Sequence, residues 1–100
     1  MKLQLALDLV NTEEAKQLVK EVESYIDIVE IGTPVVINEG LRAVTAIKEA
    51  FPHLQVLADL KVMDAAGYEV MKASEAGADI VTILGVAEDM TDGYRCACCW

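Results

Sequence analysis

The segment Gln55-Val-Leu-Ala-Asp-Leu-Lys-Val-Met-Asp64 joins a short apolar run to a cluster of charges. Gln55 to Leu60 reads as a strand, and Asp59, Lys61 and Asp64 gather at its carboxyl end. Asp59 and Lys61 are two positions apart, so they share one strand face. Asp64 follows at the turn, where it can hold Lys61 charged and oriented. A near-continuous apolar run suits a parallel strand covered on both faces.

The same pattern recurs at Leu3 to Leu9, Ile26 to Ile31 and Asp79 to Leu84. Helical patterns fill the intervals. Asn11 or Thr12 can cap a first helix opening with Glu13 and Glu14, acids that suit the N-terminal dipole. Its apolar face uses Ala15, Leu18, Val19 and Val22. A second helix is predicted from near Asn38, with Ala43, Val44, Ile47 and Ala50 as apolar positions and Pro52 marking its end. A third begins near Asp64 or Ala65, carries Val70, Met71 and Ala73, and stops at Gly77.

The order β-α-β-α-β-α-β implies right-handed crossovers and a parallel sheet. It fits an open doubly wound sheet or part of a closed barrel, and composition does not choose between them. A complete (β/α)8 barrel has eight units and about 250 residues. This chain of 100 residues holds roughly half the units. Residues 1–86 are predicted to form the α/β domain. Residues 87–100 are expected to be a divergent, irregular tail, in which Arg95-Cys-Ala-Cys-Cys-Trp100 resembles none of the preceding units.

The formal net charge of −9 argues against broad binding of nucleic acid or an anionic membrane, which needs clustered Lys and Arg. A small phosphorylated substrate stays compatible, because a few local donors can hold one phosphate. No run approaches the roughly 20 apolar residues of a membrane span, and no signal-peptide pattern follows Met1, so a cytoplasmic location is expected. Cys96, Cys98 and Cys99 make a poor disulfide framework and fall short of a closed zinc site. His53, after Pro52, belongs to a loop at the amino end of the third strand and reads as structural or solvated.

Parallel α/β folds collect functional groups at strand carboxyl ends. Asp8 ends the first strand, Glu30 the second, and Asp59 with Lys61 the third. Taken singly, Asp8 can be a turn cap, Glu30 a solvated strand end, and Asp59 with Lys61 a structural ion pair. Their agreement across three strand ends favours a site. Glu30 and Asp59 on neighbouring strands can share a divalent cation, and hard oxygen ligands suit Mg²⁺. Gly32-Thr33-Pro34 is not a phosphate-binding P-loop and reads as a turn lining the site.

Asp59-Leu-Lys-Val-Met-Asp64 matches the Asp-x-Lys-x-x-Asp motif of the orotidine 5′-monophosphate decarboxylase suprafamily. Leu3-Gln-Leu-Ala-Leu-Asp8, Val29-Glu-Ile-Gly-Thr-Pro34, Glu39-Gly-Leu-Arg-Ala43 and Ser74-Glu-Ala-Gly-Ala-Asp79 are most similar to its 3-hexulose-6-phosphate synthase family. The resemblance runs from about Met1 to Gly85 and implies the N-terminal half of a TIM barrel. It further implies an aldolase of the ribulose monophosphate pathway, joining formaldehyde to ribulose 5-phosphate with Mg²⁺. By the same resemblance, Glu30 and Asp59 are metal ligands, Lys61 stabilises an enediolate and Asp8 contacts substrate. Asp64 is contributed across a homodimer interface. The family's late phosphate-binding loops and a second-half histidine have no counterpart here. Two other functions stay open: 3-keto-L-gulonate 6-phosphate decarboxylase, and a non-catalytic half-barrel that self-associates.

Overall fold

A computed structural model describes residues 1–87, so the cysteines and most of the expected tail lie outside the described residues. Four strands alternate with helices: β1 (Gln4–Leu7), α1 (Thr12–Val22), β2 (Ile28–Ile31), α2 (Thr33–Glu39), α3 (Arg42–Ala50), β3 (Gln55–Val62), α4 (Ala66–Glu75) and β4 (Ile80–Ile83). All neighbouring strands pair in parallel, in the order β1-β2-β3-β4. A doubly wound sheet would reverse its strand order at a switch point, whereas a barrel adds each strand beside the last. The observed order is therefore that of a barrel segment.

The helix expected from Asn38 is instead two helices. Thr33-Pro34 opens α2 immediately after β2, because proline in a first turn lacks only an N–H that would find no helical partner. Gly40, at φ 68°, then ends α2 in the left-handed region and lets α3 start in a new direction. β3 also runs beyond Leu60, to Val62, carrying Asp59 and Lys61 within the strand.

The main core lies between the sheet and its helices. Val29, Ile31, Val56, Ala58 and Val81 pack against Ala15, Val19, Val44, Ile47 and Ala73. Ile28, Leu57 and Ile80 form a separate small cluster. Leu18, expected on the apolar face of α1, is 42% exposed. At the amino ends of the strands, Asp79 accepts hydrogen bonds from the Val56 amide at 2.7 Å and Lys48 Nζ at 2.8 Å. This pins β4 to β3. His53 is exposed and lies 3.3 Å from Glu23, away from the strand carboxyl ends. Among the described residues, no helix is long and apolar enough to cross a membrane.

α1 starts with a full capping box. Asn11 Oδ1 accepts from the Glu14 amide at 3.0 Å, and Glu14 Oε2 accepts from the Asn11 amide at 2.9 Å. Asn11→Ala removes one half of that exchange. The expected cost is about 1 kcal/mol, read as a shift in the urea midpoint with an unchanged slope.

Candidate active site

The carboxyl end of β3 is irregular. Ala58 pairs with Val81 and Val62 pairs with Ile83, so Asp59, Leu60 and Lys61 stand opposite Thr82 alone. Such a bulge re-aims side chains beside functional sites. Lys61 has φ 51° and is the non-glycine residue in the left-handed region among those described. Backbone of this kind costs about 1–3 kcal/mol and persists only where its surroundings hold it. Here the Lys61 amide donates to Thr82 Oγ1 at 2.9 Å.

Asp59 is the buried charged residue of the described chain, at 8% exposure. Its carboxylate is closely partnered. Thr82 donates to Oδ1 at 2.7 Å, while Thr33 reaches Oδ2 at 2.9 Å and the Asp59 carbonyl at 2.7 Å. The Lys61 ammonium pairs with Oδ2 and also donates to Thr33 Oγ1, at 2.7 Å. A carboxylate has about four acceptor directions, so these donors leave Asp59 room for roughly one further ligand.

Burial by itself would raise the Asp59 pKa. Hydrogen bonds from Lys61, Thr82 and Thr33, together with the Lys61 charge, outweigh burial and hold the carboxyl below its ordinary value. A carboxyl depressed in the folded state stabilises the fold fully above its unfolded pKa, near about pH 4. That contribution is lost as pH falls through the lower folded value. Stability is therefore expected to drop below about pH 4, and Asp59→Asn to flatten that part of the profile, as followed by chemical denaturation.

Glu30 is half-buried and accepts a hydrogen bond from Gln4 Nε2. It pairs in register with Leu57, so Asp59 lies two residues further along the neighbouring strand, on the same face. Gln4, Glu30, Leu57 and Thr82 line a hollow of about 300 Å³ beside this pair. Asp8 is exposed at the end of β1, and its Oδ1 lies 2.2 Å from where a Cβ on Gly32 would stand. The structure thus gathers Asp8, Glu30, Asp59 and Lys61 at adjacent strand ends.

Asp64 differs from the expectation that it holds Lys61. The Lys61 ammonium turns back to Asp59 and Thr33, and Asp64 is exposed. The reason is the bulge, whose left-handed turn directs the lysine along its own strand face. The site also holds two residues beyond those the sequence points to, Thr33 and Thr82. Thr33 sits in the segment read as a lining turn. Thr82 is the polar residue interrupting Ile80-Val-Thr-Ile83, a signal available in the sequence.

A parallel barrel segment with charged groups at its strand carboxyl ends defines an α/β-barrel enzyme scaffold. The chain belongs to the orotidine 5′-phosphate decarboxylase / HUMPS family, whose model matches residues 1–94. It is 78% identical over 91 residues to 3-hexulose-6-phosphate synthase of Bacillus subtilis (strain 168), covering 91% of this chain and 43% of that protein. The crystal structure of 3-hexulose-6-phosphate synthase from Salmonella typhimurium superposes with a TM-score of 0.91 at 48% identity, over 93% of this chain and 44% of that one. That of 3-keto-L-gulonate-6-phosphate decarboxylase from Vibrio cholerae gives 0.86 at 33% identity, over 90% and 42%. The chain therefore spans less than half the length of these relatives and has the fold of part of a (β/α)8 barrel.

Proposed function

We propose that this chain carries the metal-binding and enediolate-stabilising part of a 3-hexulose-6-phosphate synthase site. The reaction is the condensation of formaldehyde with ribulose 5-phosphate in the cytoplasm. The observation that carries the proposal is the Asp59–Lys61 pair, seated with Thr33 and Thr82 on the bulged end of β3.

Glu30 and Asp59 would hold the cation, Mg²⁺. Both are hard oxygen donors on one sheet face, and Asp59 retains about one free acceptor direction. Among the described residues no three acids, histidines or cysteines cluster as a metal cage. A Mg²⁺ site usually takes one or two carboxylates, completed by water and substrate oxygens. When bound, the cation would add positive charge beside the developing enediolate.

Loss of a proton from the carbon beside the ketose carbonyl to a base from solvent makes an enediolate; its carbon attacks formaldehyde, whose C=O π pair becomes an alkoxide that then takes up a proton. Lys61 keeps a fixed ammonium where that negative charge grows, so little reorganisation is needed during reaction. Asp59 and Thr33 hold the ammonium in place, and from there Lys61 can donate a proton to the alkoxide left on the former formaldehyde oxygen. Asp8 would contact the substrate at the end of β1. Asp64, exposed and not among the partners of the Lys61 ammonium, would enter the site of a second copy in a homodimer.

The test is an assay of the purified chain with formaldehyde, ribulose 5-phosphate and Mg²⁺. Metal-dependent hexulose phosphate formation supports the proposal. A folded chain without turnover would exclude catalysis by these 100 residues and favour a non-catalytic, self-associating half-barrel. Decarboxylation of 3-keto-L-gulonate 6-phosphate in place of condensation would support the second reading, which rests on the 33% identity to the Vibrio cholerae enzyme.

A further inference from the structure

Thr82 stands opposite the three-residue bulge of β3 and touches it twice. Its Oγ1 accepts from the Lys61 amide at 2.9 Å and donates to Asp59 Oδ1 at 2.7 Å. One hydroxyl thus fixes the backbone of the lysine and the carboxylate that the same lysine pairs with. It uses both hydroxyl functions, and a methyl group can replace neither.

The rest of the geometry says what this contact does. Lys61 occupies the left-handed region at φ 51°, which a residue with a side chain leaves unless held. The Thr82 hydroxyl is the acceptor for its amide. Without that acceptor, the bulge can relax toward ordinary strand backbone. The ammonium would then lose its aim at Asp59 and Thr33. Thr33 sits across the site on α2, bonding Asp59 and the Lys61 ammonium, but it does not bond the Lys61 amide. The two threonines therefore divide the task, one holding the lysine's tip and the other its root.

We propose that Thr82 is a positioning residue that sets the Lys61 backbone and the Asp59 carboxylate in their working geometry from the neighbouring strand. This inference deepens the proposed function and rests on Lys61 and Asp59 being the groups that meet the substrate.

The experiment uses the full chain and compares Thr82→Val with Thr82→Ser. Valine keeps the shape and removes the hydroxyl, whereas serine keeps the hydroxyl. Amide hydrogen exchange at Lys61 should quicken by about tenfold in Thr82→Val, the factor matching one ordinary hydrogen bond. It should return to the parent value in Thr82→Ser. The Lys61 Cα and Cβ chemical shifts should move in the same way. Thr45→Val serves as the control, because it removes a 2.9 Å hydrogen bond to the Ala76 carbonyl outside the site. It should lower stability without moving the Lys61 signals. Lys61 exchange and shifts that are unchanged in Thr82→Val overturn the proposal. So does a change in Thr82→Val that Thr82→Ser fails to reverse, or one that Thr45→Val reproduces. These readouts need neither metal nor turnover. Failure of the aldolase reading would appear instead as a parent chain whose turnover is absent or indifferent to Lys61.

Discussion

Lys61→Ala is expected to reduce condensation of formaldehyde with ribulose 5-phosphate by about a thousand-fold or more while leaving the chain folded. The size follows from the two tasks proposed for the ammonium. Electrostatic stabilisation at a developing oxyanion is worth about 10²–10³ in rate, and proton movement by a placed side chain about 10²–10⁴. The fold should survive because Lys61 is half-exposed at its side chain and Asp59 keeps its hydrogen bonds from Thr33 and Thr82. The loss should fall mainly on kcat, since an interaction realised in the transition state is being removed. Lys61→Arg should not rescue it. A planar guanidinium cannot take the place of a compact ammonium seated between Asp59 and Thr33. Steady-state kinetics, with circular dichroism to confirm folding, check this.

Gly32→Ala is expected to damage both stability and the site. Gly32 has φ −63° and ψ 155°, a conformation that alanine adopts freely, so the cost is one of space. A Cβ there would stand 2.2 Å from Asp8 Oδ1 and 2.6 Å from the Leu7 carbonyl. The Asp8 carboxylate can swing aside. The Leu7 carbonyl is backbone and already accepts from the Gly32 amide at 2.9 Å, so either β1 or the start of α2 must move. Overpacking of this kind costs about 1–3 kcal/mol. For a domain of this size each kcal/mol corresponds to about 4–8 °C in Tm. The next residue is Thr33, so the displacement reaches Asp59 directly and activity should fall with stability. Gly85→Ala is the control. Nothing lies within 4 Å of a Cβ there, and stability should change by no more than about 0.5 kcal/mol. Calorimetry of the two variants separates the effects.

Strand and helix order was readable because buried parallel strands are nearly all apolar, as in Ile28–Ile31 and Gln55–Val62. The charges ending those runs marked the site for the same reason, since Asp59 interrupts a segment that is otherwise core. Local pattern did not separate α2 from a turn. Thr33-Pro34 suits both, and the choice is made where Thr33 Oγ1 finds Asp59 across the sheet. Nor did it foresee the bulge. The shift of two positions between β3 and β4 is a property of pairing, and it decides that Lys61 faces Asp59 instead of Asp64. Thr82 gained its importance only from that register. Glu30 was legible as a strand-end acid, while its diagonal relation to Asp59 again required the parallel register of β2 and β3.

The central claim is that the carboxyl end of this sheet stabilises an enediolate. It is tested most directly by following ribulose 5-phosphate by proton NMR in D₂O with the folded chain and Mg²⁺, leaving formaldehyde out. The expected result is exchange of a proton on the carbon beside the ketose carbonyl, dependent on Mg²⁺ and lost in both Lys61→Ala and Glu30→Gln. Absence of exchange with the folded chain, or exchange that persists unchanged in Lys61→Ala, would contradict it.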